Sequence, residues 1–336
     1  MRIAKLVERL LATLALMVAI AVFVFVAMRL LPGDPVDLIL NEGGQVSEAQ
    51  LRALRANYNL DQSIPKQLLG FVGGLARGDL GQSVSYQRPV AEIIREHLPA
   101  TIELTVVAVI ISLLLAVPAG VIAAVKRGTV IDRVISAVTF VGVSVPGFWL
   151  GIVMILIFSV GLHWLPTSSR AAAGVVAHGL TGFYLVDALL THNFSDFGTA
   201  LKHLLLPAIA LGAVMTAVLT RVLRSSMIEE LQKDYVVLAR AKGASEIRVV
   251  LRHVLPNALI PSITILGLQV GSMLGGNMLI ETVFSWPGIG RLAVEGIFAR
   301  DYPLVQGVVI LFAFIFAIAN LMVDLAYLWL NPRVTM

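Results

Sequence analysis

The chain has 336 residues, of which 58% are hydrophobic and only 14% charged, a balance too apolar for soluble domains and typical of a membrane protein. It contains no cysteine, which excludes disulfides, thiolate metal centres, iron–sulfur clusters and thiol nucleophiles together. The net charge of +4 does not suggest a nucleic-acid surface, and it matters through where its Lys and Arg residues stand.

A short segment with Arg2 and Lys5 leads into an apolar run over 10–30, long enough, at about 20 residues, to cross the hydrocarbon core. It lacks the shorter apolar region and small-residue cleavage site of a secretory signal, so an uncleaved first helix is expected. Leu-Pro-Gly-Asp-Pro at 31–35 stops that helix, with Asp34 and Pro35 suited as cap and first residue of a short following helix. Residues 36–99 turn polar, with mixed charges and amphipathic helical patterns at 47–58, 65–76 and 89–97, and read as a water-facing insert. Further spans are expected at 102–124, 134–160, 204–222, 263–284 and 304–328. The fold expected is therefore an all-α membrane protein of six transmembrane helices, with both termini on one side. The predicted loops on that side carry 14 of the 25 basic residues but only 6 of the 21 acidic ones, which makes it the cytoplasmic side. The chain then divides into a terminus and first span (1–31), a periplasmic insert (32–100) and a core of five spans (101–336) that contains a long cytoplasmic loop at 223–261.

Within the spans few residues carry chemistry. Glu103 and Glu281 fall near outer ends, and Asp324 lies well inside the last helix, one turn from Asn320. Asp324 is either protonated or paired at a helix contact, or part of a pathway. Gly267, Gly271 and Gly275 recur every four residues, with Gln269 and Asn277 nearby. Such a stripe lets helix backbones approach closely, either within one subunit or at an interface or gate. Pro118, Pro146 and Pro207 are expected kink points. Trp149, Trp164, Trp286 and Trp329 are expected as interfacial anchors. Ser144, in Gly-Val-Ser-Val-Pro, lacks the second glycine and the strand context of a nucleophile elbow, and reads as a helix–helix hydrogen-bonding residue.

The stretch 234–261, DYVVLARAKGASEIRVVLRHVLPNALIP, stands apart as the long basic segment between two apolar spans. Good helix formers run from Tyr235 to Lys242, and Gly243 then breaks the run where a left-handed backbone is wanted. Ser245 can cap a second short helix, with Glu246 in its first turn and Arg248 and Arg252 toward its end. Leu255-Pro256 is expected to close this helix–elbow–helix unit. No lysine follows a glycine, so there is no phosphate-cradling P-loop. The six histidines show no HExxH pairing.

This stretch resembles the cytoplasmic EAA loop of bacterial ABC-importer permeases, in which Glu-Ala-Ala is followed by three residues, Gly, nine residues, Ile, one residue and Leu-Pro. Ala239, Gly243, Leu255 and Pro256 match at that spacing, while Val237, Leu238 and His253 occupy the Glu, first Ala and Ile slots. ARAKG at 239–243 is common in the peptide branch of that family. LPGDP at 31–35, GDLGQS at 78–83, AAVKRG at 123–128, RSSM at 224–227, FSWPGIGR at 284–291, DYPLVQG at 301–307 and NPR at 331–333 extend the likeness to the DppB/OppB group of dipeptide and oligopeptide permeases, with the dipeptide branch nearest.

The resemblance implies a type I ABC-importer permease in the bacterial inner membrane, non-catalytic and binding no cofactor itself. Its implied partners are a second, DppC-like permease, two cytoplasmic ATPases carrying ATP and Mg, and a periplasmic or lipid-anchored binding protein that delivers peptide. Ala239, Gly243, Ala244, Ser245, Glu246, Ile247, Arg248, Leu251, Arg252, Leu255 and Pro256 would form the ATPase-coupling loop, with Ile247, Val250 and Leu251 as the apolar face of its second helix. Gly267, Gln269, Gly271, Gly275, Asn277 and Asp324 are the candidate pathway or interface residues. The insert at 36–99 and the loop at 163–203 are expected to form the rim on which the binding protein docks. Nickel, glutathione or haem import by the same group, and an ion-gradient-driven secondary transporter built around Asp324, are the alternative readings.

Overall fold

The computed structural model describes residues 2–30, 61–171 and 181–330. Among them every regular element is helical, apart from one isolated bridge between Gln82 and Pro89. Five helices are long and apolar enough to cross a membrane, and a sixth crossing is available from one bent pair. The patterns expected at 31–35 and 47–58, and the NPR motif at 331–333, lie outside the described residues.

The helices are α1 (Arg2–Leu30), α2 (Ile64–Leu75), α3 (Val90–Val125), α4 (Val130–Ser144), α5 (Gly147–Met154) with its π-helical extension Ile155–Gly161, α6 (Tyr184–Leu190) and α7 (Phe194–Glu230). There follow α8 (Asp234–Ala241), α9 (Glu246–Arg248) with a π-helical stretch Val249–Val254, α10 (Leu255–Gly276), α11 (Met278–Val283), α12 (Ile289–Phe298) and α13 (Tyr302–Leu330). The chain divides into two compact units, one of residues 1–99 with 287–317 and one of residues 100–286 with 318–336.

The larger unit is built on α7, which packs against α4, α5, α6, α10 and α11. Small residues permit the closest approach. A Cβ on Gly212 would lie 2.5 Å from Ser112 Oγ and 2.9 Å from the Ala108 carbonyl, and Ser112 Oγ donates to the Gly212 carbonyl at 3.0 Å. Helices approach this closely in membranes because packing rather than hydrophobic transfer drives their association. Around them Leu104, Leu204, Leu206, Phe284 and Trp286 form the main core.

Three expectations are corrected here. The span read at 134–160 is two helices bent by 105°: Val145 is extended (φ −91°, ψ 125°) because Pro146 excludes the helical region for the residue before it. Ser144 at this break bonds its own helix, donating to the Phe140 carbonyl at 2.9 Å, and not a neighbour. Trp286 is not an interfacial anchor but fully buried, its Nε1 donating to the Ala100 carbonyl at 2.9 Å; Trp149 and Trp164 are exposed as anchors should be.

Glu103, nearly four turns into α3, is buried and paired. Its Oε2 accepts from Arg170 Nε and Nη2 at 3.1 and 2.6 Å, and its Oε1 from the Leu185 backbone N–H at 2.7 Å. The Arg170 guanidinium also donates to the Gly182 carbonyl at 2.8 Å and lies 3.9 Å from the Tyr184 ring centroid. This cluster ties both described ends of the 163–203 loop to α3.

In the smaller unit, Asp301 is buried and accepts from Ser83 Oγ, from the Ser85 N–H at 2.9 Å and from the Leu304 N–H at 3.1 Å. It thereby joins two of the motifs noted above and caps the first turn of α13. The helix expected at 65–76 is α2, whereas the pattern at 89–97 is the first part of α3 and not a separate insert helix.

Arg170→Met should leave Glu103 as an uncompensated buried charge and cost about 3–5 kcal/mol, while Arg170→Met with Glu103→Leu should recover most of that loss. Denaturant unfolding of the purified protein in detergent distinguishes the two; equal losses would contradict the pairing.

Candidate functional site

The end of α7, α8 and the start of the α9–α10 run form one packed module. Leu223 and Met227 of α7, Ala124 of α3, Val236 of α8, and Val249, Val250, Val254 and Ala258 are buried together. Ala239, Ala244 and Leu255 pack partly buried against them. The segment is therefore held by a core of its own and is not merely a solvated basic loop.

Gly243 adopts φ +81°, as the sequence requires at this elbow. The Gly243 N–H bonds the Arg240 carbonyl at 2.9 Å and the Ala244 N–H the Ala239 carbonyl at 3.2 Å, the paired bonds of a Schellman termination. A Cβ at Gly243 would meet nothing within 4 Å, so backbone conformation, not crowding within this chain, demands glycine. Across the elbow Arg240 grips Glu246 with two bonds, Nε to Oε1 at 2.8 Å and Nη2 to Oε2 at 3.2 Å. That hydrogen bonding, with the charge of Glu246 behind it, raises the pKa of the Arg240 guanidinium. Ser245 occupies the cap position, but its hydroxyl makes no capping bond.

Leu255-Pro256 does not close the unit. The helix runs on from Glu246 to Leu274 as one membrane-length element, and the π-helical stretch Val249–Val254 precedes Pro256. Wider i→i+5 bonding there accommodates the N–H that proline lacks and the bulk of its ring. The fifth span expected at 263–284 ends earlier, at Gly276, with Asn277 between α10 and α11.

The module exposes both apolar and basic side chains. Val237, Leu238, Ile247 and Leu251 are exposed, Ile247 at 74%, beside exposed Lys242, Arg248 and Arg252. Val250, expected on this face, instead faces the module's own core and is 8% exposed. The expectation missed Val237 and Leu238, which occupy slots where the family pattern has smaller or polar residues.

A second feature not foreseen from sequence lies nearby. Arg224 donates to both oxygens of Asp132, at 2.6 and 2.8 Å, and the Gly128 N–H donates to Asp132 Oδ2 at 2.9 Å. The only signal was that Asp132 is the lone acid in a short basic loop.

Among the candidate pathway residues, Gly271 is buried and Gly267 and Gln269 are half-buried, while Ile265, Leu266, Val270 and Met273 of the same helix pack with Met215 and Leu219 of α7. Asn277 is buried, and its amide Nδ2 donates to the Met273 carbonyl. Gly275 is the penultimate residue of α10 and Asp324 lies in α13; their side-chain surroundings lie outside the described residues. No group of three or more His, Cys, Asp or Glu suited to a metal ion occurs among the described residues.

Residues 116–336 match the family described as binding-protein-dependent transport system inner membrane component, and residues 2–105 match its N-terminal companion. The chain belongs to this family of inner-membrane transport components. Family members of similar length include a di/tripeptide transport system permease of Pseudomonas aeruginosa, 42% identical over 94% of each chain, and a probable D,D-dipeptide transport system permease of Escherichia coli, 42% identical over 96% of this chain and 94% of that one. An oligopeptide transport system permease of Bacillus subtilis is 35% identical over 98% and 99% of the two chains. In fold the chain is similar to the MetNI methionine ABC transporter in an inward-facing form, with a TM-score of 0.54 over 71% of this chain and 96% of that one, at 16% identity. As a member of the family, the chain is a transport permease of the inner membrane, and the helical, multi-span architecture expected from its sequence is the one observed.

Gly243→Val should force a β-branched residue into the left-handed region at a cost of about 1–2 kcal/mol, seen as roughly tenfold faster amide exchange at 243 and 244. Gly243→Asn, which tolerates that region, should remain close to the parent. Equal protection in all three proteins would remove the conformational requirement.

Proposed function

We propose that the chain is the permease subunit of an ATP-driven importer of dipeptides or similarly short peptides. The observation that carries this reading is 42% identity, over 94% of both chains, to a permease named for di/tripeptide transport. It forms half of the translocation path with a second permease of the DppC type, is driven by two cytoplasmic ATPases that hold ATP and Mg, and receives peptide from a substrate-binding protein. Its termini and the module at 223–261 face the cytoplasm, as the distribution of Lys and Arg supports. The chain itself is non-catalytic and binds no cofactor.

The site's geometry suits this role. Exposed apolar side chains with exposed cations among them, on an elbow that leads directly into a membrane-length helix, suit a cleft in a partner with an apolar floor and acidic rim. Because Glu246–Leu274 is one helix, force applied at Ile247 reaches the membrane through backbone hydrogen bonds and not through a flexible link. ATPase closure then moves the inner end of this helix as a rigid lever, and the path opens alternately to the two sides. Specificity for peptide rests mainly with the binding protein.

The test is uptake of a labelled dipeptide by proteoliposomes carrying this chain with its partner permease and ATPases, with and without the binding protein. ATP-dependent uptake requiring every component is expected; uptake by this chain alone, driven by a proton gradient and indifferent to ATP, would overturn the reading. Ile247→Asp with Leu251→Asp should insert normally, since both side chains are exposed, yet lower uptake by about tenfold or more through loss of the apolar anchors. Retention of full uptake by that variant would remove the patch from coupling.

A further inference from the structure

The smaller unit contains an open groove of about 1140 Å³ beside the end of α1. Among the described residues its wall carries two cations, Arg29 and Lys66, and one carboxylate, Asp79, whose Oδ1 already accepts the Gly81 N–H at 2.8 Å. Arg29 is fixed in place, its guanidinium 3.5 Å from the Phe25 ring centroid and its Nε donating to Gln67 Oε1 at 2.8 Å. Gln306 also lines the groove. It is 4% exposed, and its Nε2 has no hydrogen-bond partner among the described residues. A buried donor left unmade is costly, so the described wall of the groove is short of an acceptor and carries more positive than negative charge.

The position of the groove specifies the carrier of that acceptor. Arg29 stands in the last turn of a membrane-length apolar helix, Leu11–Leu30. On that helix Ala21, Phe25 and Met28 are buried, while Phe23, Val26 and Leu30 form an exposed apolar stripe. At 100° per residue Arg29 falls between the two faces. A ligand with an acidic head and hydrocarbon tails meets both requirements, its tails along the stripe and its head in the groove. Guanidinium and ammonium groups together are suited to a phosphate.

We propose that this groove binds the phosphodiester headgroup of an anionic membrane phospholipid, with Arg29, Lys66 and the Gln306 amide as its donors. This site is separate from the coupling module and independent of the substrate carried.

The experiment exchanges the purified full chain into mixed micelles of phosphatidylcholine and phosphatidylglycerol in equal amounts and reads the retained lipid by native mass spectrometry. The parent should retain phosphatidylglycerol preferentially. Arg29→Gln, and Lys66→Gln at an exposed position, should each lower that preference about fivefold. Gly70 lines the groove and a Cβ there meets nothing within 4 Å, so Gly70→Trp should fill it, abolish the preference and leave thermal stability unchanged. Excess soluble glycerol phosphate should fail to displace the lipid, because it lacks the tails. A parent preference no greater than the bulk ratio, an unchanged preference in both charge variants or in Gly70→Trp, or full displacement by glycerol phosphate would each overturn the proposal.

Discussion

Hydrocarbon offers no hydrogen-bond partner to a peptide group, and three departures from regular helix among the described residues answer to that constraint. Where Pro146 breaks the α4–α5 pair, the Val145 N–H still reaches the Val141 carbonyl at 3.0 Å and the Leu150 N–H the Pro146 carbonyl at 3.0 Å. Where Pro256 interrupts the long α9–α10 run, a π-helical stretch takes up the mismatch. Where α10 ends, the Asn277 side chain caps the Met273 carbonyl. The breaks are local because their polar groups are satisfied locally.

Charge obeys the same constraint at two levels of the larger unit. Near the first turns of α7, where His203 contacts the Ser168 and Ser169 carbonyls, Glu103 and Arg170 are buried and paired. Toward its other end, Arg224 holds Asp132. The rise along α7 from His203 to Arg224 is about 30 Å, close to the thickness of a bilayer's hydrocarbon core, about 30 Å. Between these levels α7 is small or apolar apart from Thr216, Thr220 and, one turn before Arg224, Arg221, and its closest contact is made at Gly212. The paired charges therefore stand where the apolar slab ends, and they anchor the loops that leave it. The module formed by the end of α7, α8 and the start of the α9–α10 run follows the Asp132–Arg224 level and includes Leu223 and Met227 of α7.

Much of this was legible in the residues. The apolar runs marked the crossings because length and hydropathy are local properties, and Gly243 announced a left-handed elbow because few other residues adopt that backbone without cost. The ordered motifs named the family. What could not be read was which face each residue presents after packing. Val250 and Ile247 are equally apolar, yet one joins Leu223 and Val254 in the core and the other is exposed. Trp286 has the composition of an interfacial anchor, and only the space beside Ala100 and Leu204 makes it a core residue. Pro256 has the appearance of a helix stop, and the π-helical stretch that lets the helix continue depends on Val249 and Val254 being held by neighbouring helices.

By itself, then, the sequence determined the membrane class, the crossings and their sidedness signal, the elbow and the family, all of which depend on composition and short-range backbone preference. The tertiary structure alone decided the pairs Glu103–Arg170, Asp132–Arg224 and Ser83–Asp301, and the exposure of Val237, Leu238, Ile247 and Leu251. The physical reason is that these join residues distant in the chain or choose between two faces of one helix. Such choices are settled by which neighbour fills the space and satisfies the charge, and no local pattern carries that information.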